Sequence, residues 1–208
     1  MENFNTELNS EAIIEKYNGT KVSKELEDFL SSKDIPFEVV DGIVCMKSKP
    51  FKHDLAKNVL SDLINQELEK MEGKSKSLIE LHMLRGENFG EDFLLPDISV
   101  LSAGKGTCGS NGMYLGTPPL IVEIMSSHRD DMLHKKRWIY EEMGIPEYWI
   151  VDFGELCITQ FVLKNGNYGE KNVLHTGENI RHHLCGLSFE VKDIFELIEE
   201  ELAFFICD

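Results

Sequence analysis

Asp97 and Glu123 are the residues of this chain whose positions most need a chemical explanation. Each carboxylate lies within or at the end of an apolar, strand-like run: Leu95-Pro96-Asp97-Ile98-Ser99-Val100-Leu101 and Leu120-Ile121-Val122-Glu123-Ile124-Met125. A buried carboxylate costs several kcal/mol unless it is hydrogen-bonded, ion-paired or bound to a metal. Hard divalent cations such as Mg²⁺ take oxygen ligands, and one or two carboxylates plus waters suffice. An ion held there polarises a phosphoryl oxygen and acidifies an attacking water. A nearby lysine then stabilises the developing negative charge. The lysines that follow Glu123 most closely are Lys135 and Lys136. Two carboxylates converging with a lysine are what a metal-dependent phosphodiesterase site requires. The competing structural roles are an arginine partner for Asp97 and ordinary solvated helix charges for the two lysines.

The elements that must position these groups follow from periodicity. Leu120 to Met125 reads as a central strand, residues 130–143 as a helix stopped by Gly144 with Pro146 just beyond, and Tyr148 to Val151 as a second buried strand. Strand, helix and strand over this distance predict a crossover joining two parallel strands. Upstream, Leu55, Ala56, Val59, Leu60, Leu63, Ile64 and Leu68 recur at spacings of three and four, which predicts one buried helix face from His53 to about Met71, with Gly73 as its stop. Asp41-Gly42 between two β-prone runs predicts a hairpin. Residues 78–84 and 93–101 read as two strands around the turn-like Gly86–Gly90 segment, and 102–118 as a long loop. Residues 157–163 and 168–175 read as a hairpin, and a final amphipathic helix runs from about Val191 to Ala203. Residues 1–34 read as a peripheral helical extension and 35–208 as one domain.

Composition narrows the classes. A length of 208 residues with 42% hydrophobic and 28% charged content describes a single globular domain. No apolar run is long enough to span a bilayer, and the N-terminus has no basic region followed by an apolar segment, so neither a membrane span nor a signal peptide is expected. Five widely spaced cysteines without a Cys-x-x-Cys pair suggest neither a zinc ribbon nor a disulfide framework, and a reducing cytoplasm is the natural setting. The histidines offer no zinc spacing, and the Gly-rich loop lacks a phosphate-cradle pattern. The net charge of −16 opposes a polyanionic partner unless a local basic patch or bound cations offset it.

The combination of Pro96-Asp97, the Glu123 strand, Lys136-Arg137-Trp138-Ile139-Tyr140 and Gly144-Ile145-Pro146-Glu147-Tyr148-Trp149-Ile150-Val151-Asp152 resembles the Uma family of restriction-endonuclease-like proteins, within the PD-(D/E)xK nuclease-like superfamily. The likeness extends upstream through Phe37-Glu38-Val39-Val40-Asp41-Gly42 and His53, and covers roughly residues 36–190. It implies an α/β fold with a mixed central sheet flanked by helices, and Mg²⁺ (or Mn²⁺) held by Asp97 and Glu123. It also implies Glu38 as a further site member and a nucleic acid substrate, DNA first. The superfamily's lysine two residues after the second carboxylate is Met125 here. Related domains carry that lysine on the following helix, where Lys136 matches by its spacing of four to Tyr140 and Lys135 by its spacing of four from Asp131. A homodimer would suit cleavage of both strands of a duplex. The reading from a different class is a catalytically degenerate member that acts as a binding or accessory protein.

Overall fold

The structure, a computed structural model, describes residues 8–33, 35–46, 50–71, 75–85, 92–109, 112–125, 130–183 and 186–206. Helices α1 (Ser10–Tyr17) and α2 (Lys24–Ser32) open the chain. The side chains of Asn9 and Ser23 cap them by accepting the amides of Ala12 and Leu26. Strands β1 (Phe37–Val40) and β2 (Ile43–Met46) form the expected hairpin, with Asp41 and Gly42 both at positive φ, 52° and 73°. The long helix α3 (Phe51–Lys70) follows. Its expected stop, Gly73, and the Gly86–Gly90 turn lie outside the described residues.

Next come β3 (Ser75–Ile79), β4 (Met83–Leu84), β5 (Phe93–Leu94), β6 (Ile98–Ser102), β7 (Gly106–Cys108), β8 (Tyr114–Gly116) and β9 (Leu120–Met125). Helix α4 (Asp130–Glu142) connects β9 to β10 (Glu147–Asp152). The chain finishes with β11 (Cys157–Lys164), β12 (Asn167–Tyr168), β13 (Asn172–His175), β14 (Asn179–Arg181), β15 (Ser188–Glu190) and α5 (Val191–Ile206).

The fold is mixed α/β. One sheet has the order β2-β1-β5-β4-β8-β7; a second runs β12-β11-β10-β9-β6-β3, with β13 also paired to β11. The crossover through α4 makes β9 and β10 parallel, as the strand–helix–strand order predicts, with Glu147 opposite Leu120 and Asp152 opposite Met125. One face of this sheet buries Val122, Ile124, Trp149 and Val151 against Ala56, Leu60 and Ile64 of α3 and Ile194 and Ile198 of α5. The opposite face carries Ile121 and Tyr148 against Ile139 and Tyr140 of α4. This alternation is the period of two that a β-strand imposes on its side chains.

Three expectations change. The run 78–84 and the run 93–101 are each two strands, not one. Glu80 takes a positive φ of 52° just after β3, and Leu95-Pro96-Asp97 interrupts the second run. Each run therefore passes from one sheet to the other: β3 and β6 pair in the second sheet, β4 and β5 in the first. The segment 102–118 is not a structureless loop, because β7 and β8 pair within it; Gly106 opposes Gly116, where a Cβ on either glycine would collide with the Tyr114 ring. The short pair β14–β15 carried no recognisable hairpin pattern. Helix α2 is also less peripheral than expected. Its Leu26, Phe29 and Leu30 share an apolar cluster with Phe37, Val39 and Phe93 of the first sheet. No helix among the described residues is long and apolar enough to cross a membrane.

Candidate active site

The carboxylates meet where the two sheets exchange strands. Glu38 comes from β1 of the first sheet and Glu123 from β9 of the second. Asp97 belongs to the three-residue link between β5 and β6, which carries the chain from one to the other. The β6–β9 ladder pairs Ile98 with Val122, so Asp97 lies one step on, level with Glu123. All three are almost fully buried, at 2–3% exposure.

Lys136 lies between two of them. Its Nζ is 2.7 Å from Glu123 Oε1 and 3.0 Å from Glu38 Oε2, and the whole residue is 2% exposed. Tyr140, one helical turn later, donates its hydroxyl to the same Glu123 Oε1 at 2.7 Å. The i, i+4 spacing on α4 puts both donors on one inward face. The backbone amide of Leu95 donates to Glu38 Oε2 at 3.1 Å, tying that carboxylate to the inter-sheet link. Asp97 Oδ2 accepts the amide of Ile124 at 2.9 Å and lies 3.2 Å from His53 Nε2, on the first turn of α3. Burial first, then the Glu123 carboxylate, push the Tyr140 phenol well above its usual range, so it stays a proton donor. The same two influences raise Tyr148, whose ring packs on Tyr140.

Of the two candidate lysines, only Lys136 joins the carboxylates. Lys135 is exposed and faces a groove of about 450 Å³ shared with Asp41, Arg85, Trp138 and Glu142. A helix rotates by about 100° per residue, so Lys135 points well away from the direction Lys136 takes, and on α4 that direction is solvent. His53, which the sequence places at the head of a helix, sits against Asp97. No sequence signal predicts that contact, because it joins α3 to a link 44 residues away. Trp149 and Tyr148 are core residues as expected, and Asp152 accepts the amides of Gly154 and Glu155 at the strand end.

The donor set suits a hard cation. Lys136 can neutralise only one of three buried carboxylates, and all their ligating atoms are oxygens. One buried polar atom among these residues, Tyr148 Oη, has no hydrogen-bond partner among the described residues. Unmet hydrogen-bonding capacity beside several carboxylates is what an ion with its waters would satisfy. Among the described residues no group of three or more His, Cys, Asp or Glu side chains is already spaced as a metal cage. Mg²⁺ does not need one, since it keeps several waters and takes one or two carboxylates.

A second buried polar cluster lies on the other face of the sheet. Glu147 accepts from Trp149 Nε1 at 2.7 Å, Gln160 Nε2 at 2.5 Å and the His183 amide at 3.0 Å. His182 stands beside it with Nε2 3.0 Å from the Pro119 carbonyl. Burial lowers the His182 pKa from its ordinary 6.5, outweighing the pull of Glu147. The unfolded chain therefore binds this proton more readily than the folded one. Stability is expected to be full above about pH 6.5 and to fall as the pH drops through and below that value. In urea unfolding series across pH, His182→Gln should flatten that slope; an unchanged slope would refute the assignment.

A sequence profile of the Uma2 family, described as "Putative restriction endonuclease", matches residues 24–192. A search of the curated proteins finds no match. Among solved structures, the chain is similar to a "putative nuclease belonging to DUF820" from Anabaena variabilis ATCC 29413. The TM-score is 0.66 and the identity 21%, over 83% of this chain and 97% of that one. At that identity the likeness shows a shared fold.

Proposed function

Because the chain belongs to the Uma2 restriction-endonuclease family, we propose that it is a metal-dependent nuclease hydrolysing phosphodiester bonds at the Asp97–Glu123–Lys136 centre. The observation that carries this reading is Lys136. A lysine buried to 2% exposure and ion-paired to two carboxylates from different sheets is an expensive arrangement that packing alone does not require. In this reading Asp97 and Glu123 hold Mg²⁺ or Mn²⁺, with the Ile124 amide and His53 fixing the Asp97 carboxylate. The ion supplies polarisation of the scissile phosphoryl group and an acidified water. Lys136 carries the positive charge that faces the developing phosphorane. Glu38, anchored by the Leu95 amide, holds the lysine in register. Tyr140 orients the Glu123 carboxylate from the other side. The substrate is a nucleic acid, with DNA the first candidate, in a reducing, cytoplasmic setting.

One observation favours a second reading, a degenerate nuclease fold acting as a binding protein. The centre is buried, and Lys136 is already engaged by carboxylates. The net charge of −16 also opposes a polyanion. Calorimetric titration with Mg²⁺ and Mn²⁺, followed by incubation with single- and double-stranded DNA and RNA, separates the two. Metal binding with strand cleavage is expected. No binding at millimolar ion, with and without oligonucleotide present, would replace the nuclease by the binding protein. The same material run through analytical ultracentrifugation tests the homodimer that duplex cleavage would favour.

A further inference from the structure

The link that carries Asp97 is gripped by a second pair of residues that the nuclease reading does not use. Glu80, the first residue after β3, has a φ of 52°, in the left-handed region that a residue with a Cβ avoids. Its amide donates to the Asp97 carbonyl at 3.2 Å. Because β3 pairs Ile79 with Ile98, this bond is the next rung of the β3–β6 ladder, formed at the point where both strands leave the sheet. The Glu80 carboxylate is in turn held by Lys57 Nζ, which also lies 2.9 Å from Asp54 Oδ1. Lys57 is 3% exposed, a buried lysine facing β3 from α3. It stands one i, i+4 step after His53, so a single face of α3 touches Asp97 twice: directly at its side chain through His53 and, through Glu80, at its backbone.

We propose that Lys57 and Glu80 are positioning residues for Asp97: the ion pair holds Glu80 in its disfavoured backbone conformation, and that conformation sets the link from which the Asp97 carboxylate reaches Ile124 and the metal. This rests on the metal-binding role proposed above for Asp97. A helix–strand ion pair that served only general stability would have no reason to sit on a strained residue bonded to a site backbone.

The test compares Glu80→Ala with Glu80→Gly. Both delete the carboxylate and leave Lys57 with Asp54. They differ in that glycine adopts positive φ readily and alanine does not. Two readouts are taken on each: Mn²⁺ affinity by calorimetry, and hydrogen exchange of the Ile124 amide, which donates to Asp97 Oδ2. Glu80→Ala is expected to weaken Mn²⁺ binding about tenfold, as loss of a ligand-orienting contact does, and to speed Ile124 exchange. Glu80→Gly is expected to keep both close to the parent. A merely structural role predicts that Glu80→Ala lowers global stability while Mn²⁺ affinity and Ile124 exchange stay at the parent's level in both variants, since alanine strains the positive φ wherever it occurs. The proposal is overturned if Glu80→Ala matches the parent, or if Glu80→Gly is damaged as much as Glu80→Ala. If the parent itself binds no Mn²⁺, the nuclease reading falls, and Ile124 exchange alone decides whether Lys57 and Glu80 position Asp97. Should Glu80→Ala fold too poorly to measure, Lys57→Met against Lys57→Met/Glu80→Gly applies the same comparison, with recovery in the double variant expected and its absence overturning the idea.

Discussion

Lys136→Met is expected to abolish metal-dependent cleavage and to lower the unfolding free energy by about 3–5 kcal/mol, the range for removing one partner of a buried ion pair. The stability loss has a specific origin. Glu38 and Glu123 both face Lys136 Nζ, at 3.0 and 2.7 Å, and both are nearly devoid of solvent. Methionine fills similar volume, so the cost is electrostatic and not a cavity. Adding Glu38→Gln to Lys136→Met should recover part of the loss, since it removes one of the two uncompensated charges. Lys135→Ala, one residue away on the exposed face, should change neither stability nor cleavage beyond about 0.5 kcal/mol. Urea unfolding of the four proteins beside a cleavage assay gives the comparison. A Lys136→Met protein as stable as the parent would mean that this charge pairing contributes little.

The second large effect concerns the ligands. Asp97→Asn and Glu123→Gln should each remove Mg²⁺ and Mn²⁺ binding detectable by calorimetry and reduce hydrolysis by at least about a hundredfold, the scale of losing one transition-state electrostatic contact. The amide replacements are chosen to preserve shape. An asparagine in place of Asp97 keeps an oxygen for the Ile124 amide, and a glutamine in place of Glu123 keeps one for the Tyr140 hydroxyl. Circular dichroism and melting should therefore remain close to the parent for Asp97→Asn. Glu123→Gln additionally weakens the hold on Lys136 and is expected to be the less stable of the two. Intact metal affinity in both variants would remove Asp97 and Glu123 as ligands, while loss in only one would assign the ion to that residue's side of the centre.

The sequence alone determined most of the secondary elements near the site: the buried β9 and β10 strands, the α4 crossover between them and the α3 helix. Hydrophobic periodicity reports local structure directly, because burying one face is what stabilises an element. It also singled out Asp97 and Glu123, since a charge inside an apolar run is costly without a partner.

Tertiary structure decided what periodicity cannot express. Nothing local distinguishes Lys135 from Lys136 as charges; the phase of α4 against the sheet does, sending one to solvent and the other between two carboxylates. Nothing local shows that residues 78–84 and 93–101 each change sheets partway, yet that exchange is why Asp97 leaves a strand at the centre and why Glu38, from another sheet, reaches Lys136. His53, Lys57 and Glu80 were silent for the same reason. The contacts of His53 with Asp97, Lys57 with Glu80 and Glu80 with Asp97 join different elements of the chain and are set by how α3 lies across β3 and β6. A pattern of apolar residues records which face of an element is buried, whereas the polar partner met on that face is fixed only when the elements pack together.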